Sequence, residues 1–205
     1  EIPATVIGLQ GEDLERANVK GFEDLARLVP GVNVTTPSEG TPRVTIRGIA
    51  SQPTTNATTG LLYGDIGFTD TYLPRVVPDP LPFDLQSVEV LKGPQGTLFG
   101  AGSLNGAIRY VPEPAKLGLW EGRYMAEYTQ VSGGGVAPTM GAVLNMPIWS
   151  GERAALRLTG YERKAPGYVD NTQLGEDGNT LDQQGVRGSL VVQPSERLNG
   201  TLTYA

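Results

Sequence analysis

Near the start of the chain, apolar residues recur at helical spacing. In GEDLERANVKGFEDLARLV (11–29), Leu14, Phe22, Leu25, Leu28 and Val29 fall on such a pattern, and Pro30-Gly31 closes it. The spacing predicts two short helices broken near Gly21. VNVTT (32–36) and RVTIRG (43–48) alternate as strands around a turn at 37–42. A polar, irregular stretch, IASQPTTNATTG, reads as a long exposed loop. Short strands are expected at Leu61–Tyr63 and Ser87–Leu91. Between them, Pro74, Pro78, Pro80 and Pro82 exclude regular structure.

After Pro112-Glu113-Pro114 the pattern lengthens. In LWEGRYMAEYTQV (119–131), Trp120, Gly122, Tyr124, Ala126 and Tyr128 share one face, and Glu121, Arg123, Glu127 and Thr129 share the other. In RAALRLTGYER (153–163), Ala154, Leu156, Leu158 and Gly160 oppose Arg153, Arg157, Thr159 and Tyr161. In GVRGSLVVQ (185–193), Val186, Gly188, Leu190 and Val192 oppose Arg187, Ser189 and Gln193. Alternation this long fits membrane-barrel strands, which need about 9–11 residues when tilted. Strands of a soluble sandwich are nearer five or six. Of the connections at 132–138, 147–152, 165–183 and 194–199, the second and fourth are tight turns and the third is long and polar, an order compatible with the two rims of an outer-membrane barrel. Trp120 begins the first strand and Trp149 follows the second, so an antiparallel hairpin puts both indoles on one rim.

Composition narrows the chemistry. The 28 glycines and 16 prolines among 205 residues leave little room for long helices, and a net charge of -6 argues against nucleic acid as a partner. Cysteine and histidine are absent, which removes disulfides, thiolate or imidazole metal sites and Cys- or His-based catalysis. No apolar run is long enough for a membrane helix. Five strands cannot close a barrel, and an open edge in lipid strands backbone groups without partners. A longer native chain is therefore expected.

SVEVLKGPQGTLFGAGSLNGAIRYV (87–111) holds Gly93, Gly96, Gly100, Gly102 and Gly106. A dinucleotide fingerprint needs its last glycine to open a helix, yet GAGSLN ends in Asn105 and strand formers follow. A P-loop needs Lys-Ser or Lys-Thr after its glycine, and neither occurs. The expectation is a strand, a compact turn-rich crossover and a second strand at Ala107–Val111, with the glycines supplying positive φ and close packing.

FDLQSVEVLKGPQGTLFGAGSLNGAIRYVPEPA (83–115) closely resembles the plug motif of TonB-dependent outer-membrane receptors. EIPATVIGLQGEDLERANVKGFEDLARLVPGVNV resembles the opening of that plug, VTIRGI its "iRG" strand and LLYGDIGFTD its "DG" strand. Lys92 stands where the family usually has Arg, and GDIG replaces DG at 64–67. The AGSLNGAIRY ending is similar to a subgroup from Gram-negative bacteria more than to siderophore receptors ending INIVTK, and Gly93–Gly96 stands where Bacteroidetes glycan importers carry DASA.

The resemblance implies an α+β plug over 1–115, a small mixed sheet with short helices. Residues 116–205 are then the N-terminal part of a transmembrane β-barrel, about five antiparallel strands of 22 when complete. It implies TonB-dependent import of an iron-siderophore-like or other small organic ligand across the bacterial outer membrane. Such a receptor is no enzyme and needs no cofactor. TonB with the inner-membrane ExbB/ExbD complex is the implied driver, through a TonB box not visible here. A ligand-sensing or adhesive receptor without transport is the alternative. By the same resemblance Arg47 and Lys92 match plug positions that contact the barrel wall. Glu89, three residues before Lys92 in the same strand, is a candidate local partner for it. Gln52, Asp70, Tyr72 and Arg75 are substrate-contact candidates on apical loops. Asp170, Glu176, Asp177 and Asp182 lack the order of an EF-hand, so no metal site is expected.

Overall fold

The computed structural model describes residues 5–36, 42–50, 58–68, 79–99, 102–133, 135–149, 153–167, 169–171, 176–178 and 180–205. The chain divides into two compact units, one ending at Glu113 and the other starting at Pro114.

The first unit is built on a five-stranded sheet of β1 (Thr5–Gln10), β7 (Leu85–Lys92), β8 (Gly106–Pro112), β5 (Thr59–Tyr63) and β6 (Ile66–Gly67), in that spatial order. Only β5 and β8 run parallel. The register puts Ile7, Val90, Ile108 and Leu61 in one row and Leu9, Val88, Tyr110 and Tyr63 in the next. This apolar face packs with Leu14 of α1 (Gly11–Arg16) and with Phe22 and Leu25 of α2 (Phe22–Leu28) into the main core. Phe22 meets Tyr110 edge to face at 5.9 Å. The two expected helices are present, broken before Phe22, and the N–H of Phe22 donates to Asp79 at 3.0 Å. No neighbouring side chain caps α2, so a residue 57 positions away supplies the acceptor.

A second sheet holds β2 (Val32–Thr35), β3 (Arg43–Ile46) and β4 (Ile49–Ala50). Arg47 and Gly48, expected within the strand, instead form its turn. Both have positive φ, 52° and 81°, the backbone of a type I′ hairpin. Four elements of this unit were not anticipated: β4 begins in the stretch read as an exposed loop, β6 follows β5 after one turn, and neither β1 nor α3 (Gly96–Phe99) is among the expected elements. β1 is an edge strand whose TVIGLQ alternation is weak, and α3 puts one helical turn in the glycine-rich crossover.

The second unit is an antiparallel sheet of β9 (Glu121–Val131), β10 (Gly135–Ile148), β11 (Ala154–Ala165), β14 (Leu181–Ser195) and β15 (Leu198–Tyr204). The expected alternation is present, and four of these strands are eleven residues or longer. The 165–183 connection, read as an irregular loop, contains a small hairpin of β12 (Val169–Asn171) and β13 (Glu176–Gly178). Its polar residues gave no strand period to read. Strand β10 starts at Gly135, inside the stretch expected to be a turn.

Candidate functional site

The faces of the wall sheet are inverted relative to a soluble protein. Directly opposed residues share a face, so the register defines rows. One side carries Met146, Leu156, Leu190 and Leu202, then Leu144, Leu158, Gly188 and Tyr204, then Tyr124, Ala142, Gly160 and Val186. Tyr124, Val186 and Leu202 are 86%, 75% and 70% exposed. With Ile148 and Val192 beyond them, the apolar rows run over 142–148 of β10 and 186–192 of β14. At about 3.4 Å per residue and a 35–45° tilt this is about 15 Å of height, more than half of the apolar band of an outer-membrane barrel. Glu162, Lys164, Gln184 and Asp182 end the band on one side. Trp120 and Trp149, both exposed, stand at the other, on the shared rim that the sequence predicts.

The opposite face is largely buried and carries two polar rows beside an apolar row of Pro147, Ala155 and Val191. Glu121, Asn145, Arg157, Ser189 and Thr203 form one row, and Arg123, Val143, Thr159 and Arg187 the next. Arg157, 1% exposed, donates from Nη1 to Glu121 at 3.1 Å, and Arg187 donates from Nη2 to Thr159 at 3.1 Å. Buried charge needs such partners, a carboxylate for Arg157 and a hydrogen-bonding hydroxyl for Arg187. Tyr161 covers Gly185, where a Cβ would lie 2.3 Å from its ring. A sheet that buries arginine and exposes leucine has the polarity of a barrel wall around a polar lumen.

In the plug sheet, Lys92 ends the apolar face, buried, and its Nζ donates to the Pro30 carbonyl just beyond α2. Glu89 is no partner for it. Three residues apart in a strand is an odd separation, so the two side chains point to opposite faces. Glu89 stands opposite Arg109 instead. Arg109 donates from Nη1 to Glu89 at 3.2 Å, from Nη2 to Asp65 at 2.6 Å and from Nε to the Gly64 carbonyl at 2.9 Å. Burial works against the Arg109 charge, but the hydrogen bonds and charges of Asp65 and Glu89 outweigh it and raise its pKa above the ordinary value. Arg47 lies exposed at its turn, with Nη2 3.4 Å from Thr5 Oγ1.

Gly93, Gly102 and Gly106 of the crossover have positive φ, and Gly96 opens α3 without it. At Gly106 both reasons for glycine apply: φ is 152°, and a Cβ would sit 2.3 Å from the Leu91 carbonyl oxygen. Asn105, which spoils the dinucleotide fingerprint, is a buried connector. It accepts from Thr59 Oγ1 at 3.0 Å and donates from Nδ2 to the Ile49 carbonyl at 2.7 Å, while its own carbonyl accepts from Gly93 N at 3.0 Å. Gly100, Gln52, Asp70, Tyr72 and Arg75 lie outside the described residues. Among the described residues no cluster of three potential metal ligands occurs. Sequence reasoning missed Asn105, Arg109 and Asn145, whose partners are far off in sequence.

Residues 1–107 match the family described as TonB-dependent Receptor Plug Domain. Among solved structures, the ferric yersiniabactin uptake receptor FyuA from Yersinia pestis is similar over 95% of this chain and 29% of its own, at 22% identity and a TM-score of 0.74. The pyoverdine outer membrane receptor FpvA from Pseudomonas aeruginosa PAO1, bound to pyoverdine, is similar over 98% of this chain and 27% of its own (16% identity, TM-score 0.77). The siderophore receptor PiuA from Acinetobacter baumannii is similar over 98% and 26% (22% identity, TM-score 0.69). The chain thus spans less than a third of each of these receptors. With an inverted sheet following a plug that the family model matches, the chain belongs to the TonB-dependent receptors of the bacterial outer membrane.

Proposed function

We propose that this chain is the plug and adjoining wall of a receptor that imports a ferric siderophore or a similar small organic chelate. The plug gates the lumen, and TonB with ExbB/ExbD supplies the work. The carrying observation is the wall sheet, whose exposed apolar rows suit lipid and whose buried arginines suit a polar lumen. Supporting the ligand class, the similar solved structures are receptors for ferric yersiniabactin, pyoverdine and siderophore. The chemistry asked of the protein is binding and displacement of the plug, with no covalent step. Arg47 and Lys92 remain candidates for plug–wall contact, and Gln52, Asp70, Tyr72 and Arg75 for substrate contact.

The test is uptake of radioactive iron from a panel of ferric siderophores by cells whose only such receptor is the complete protein. Accumulation that requires TonB supports import. Binding of a panel member without accumulation would replace import by sensing.

A further inference from the structure

Between the plug sheet and β9 the segment Ala115–Leu119 belongs to no strand or helix, yet its backbone is held. Asn145, fully buried in β10, accepts from the Lys116 N–H at 2.8 Å. It donates from Nδ2 to the Lys116 carbonyl at 2.9 Å and to the Leu119 carbonyl at 2.6 Å. A side-chain amide carries the same acceptor and donor as a peptide group, so it can complete backbone pairing where no ladder exists. Ala115 packs in a buried cluster with Ala155 and Val191, with Leu117 against it. Lys116 Nζ lies 3.7 Å from Glu121, which also takes the Arg157 bond.

On the plug side, the Glu113 N–H donates to the Asp84 carbonyl at 3.2 Å. Only Pro114 and Ala115 separate this bond from the first bond to Asn145. We propose that Asn145 is a positioning residue that fixes the connecting segment to the wall as a permanent tether. Plug displacement during passage is then confined to residues before Pro114, and Ala115–Leu119 stays in place throughout. The transport part of this inference rests on the import reading; the tether itself does not.

The experiment uses the complete receptor in lipid nanodiscs. Asn145→Leu should speed hydrogen exchange at the Lys116 amide about tenfold, with β9–β11 exchanging as in wild type. An unchanged rate at Lys116 overturns the tether. A cysteine pair, Ala115→Cys with Ala155→Cys, gives an independent reading if Asn145→Leu fails to fold. The pair should cross-link on oxidation, and failure to do so counts against the packed segment. In cells, uptake of radioactive iron from the siderophore panel should be the same with the pair oxidised or reduced. Loss on oxidation, restored by reductant, would show that the segment must move. Should wild type import no panel member, the import reading falls while exchange and cross-linking still decide the tether.

Discussion

Arg109 and Glu89 face each other across β7 and β8, and the same guanidinium reaches Asp65 in the turn between β5 and β6. One side chain therefore ties the middle of the plug sheet to its far hairpin. Asp65 is exposed and Arg109 and Glu89 are partly solvated, so each ion pair contributes little, about 1 kcal/mol or less. The fork geometry and the bond to the Gly64 carbonyl add positional control. Arg109→Lys should keep the charge and lose the three-way contact. Hydrogen exchange at the Gly64 amide, bonded to the Tyr110 carbonyl, should rise several-fold on the scale of a lost hydrogen bond. Wild-type exchange there would show that the hairpin does not depend on Arg109.

Lys92 replaces the usual arginine of its motif and donates within the plug to the Pro30 carbonyl. Lys92→Met keeps the buried stem and deletes the donor. It should destabilise the plug by about 1.5–3 kcal/mol, the range for a charged hydrogen bond, read as faster exchange in Val29–Val32. Lys92→Ala adds lost packing and should cost more. Equal effects of the two would place the role of Lys92 in its donor alone, and a neutral Lys92→Met would place it in its volume.

The crossover glycines separate into two kinds. Gly106→Ala meets the Leu91 carbonyl and an unfavourable φ, and should cost at least 2–3 kcal/mol in plug stability. Gly96→Ala meets nothing within 4 Å at the first position of a short helix and should be neutral or slightly stabilising. Thermal unfolding of the plug transition in the two variants checks the contrast. A tolerated Gly106→Ala would refute the packing account of this stretch.

Asp79 caps α2 from the proline-rich segment, and Gly21 leaves it room, since a Cβ there would lie 2.3 Å from the carboxylate. Asp79→Ala should cost about 1 kcal/mol, a typical helix-cap loss. Gly21→Ala should show a similar loss by displacing the same carboxylate. Exchange at the Phe22 amide measures both.

Much of this was readable from the sequence because period and parity are local properties. Tyr124, Tyr128, Arg157 and Val186 announce their faces within nine residues of strand, and Leu14, Phe22 and Leu25 announce theirs within a few helical turns. What failed was geometry that depends on register. Glu89 looked adjacent to Lys92 in sequence, yet strand parity separates them and hands Glu89 to Arg109, 20 residues on. Asn145 carries no local sign of its role, because its partners lie 26 and 29 residues earlier. The β12–β13 hairpin has Val169 as its single apolar strand residue besides glycine and left no alternation to detect.

The account stands most directly on which face of the wall meets lipid. These 205 residues hold no cysteine, so in a complete receptor freed of any cysteine elsewhere, single cysteines at Leu158, Val186 and Leu202 on one face and at Thr159 and Ser189 on the other can carry spin labels in bilayers. Relaxation by lipid-dissolved oxygen should be strong at Leu158, Val186 and Leu202 and weak at Thr159 and Ser189. Strong relaxation at Thr159 and Ser189, or water-soluble relaxer reaching Val186 and Leu202 instead of oxygen, would contradict a membrane wall and the import function built on it.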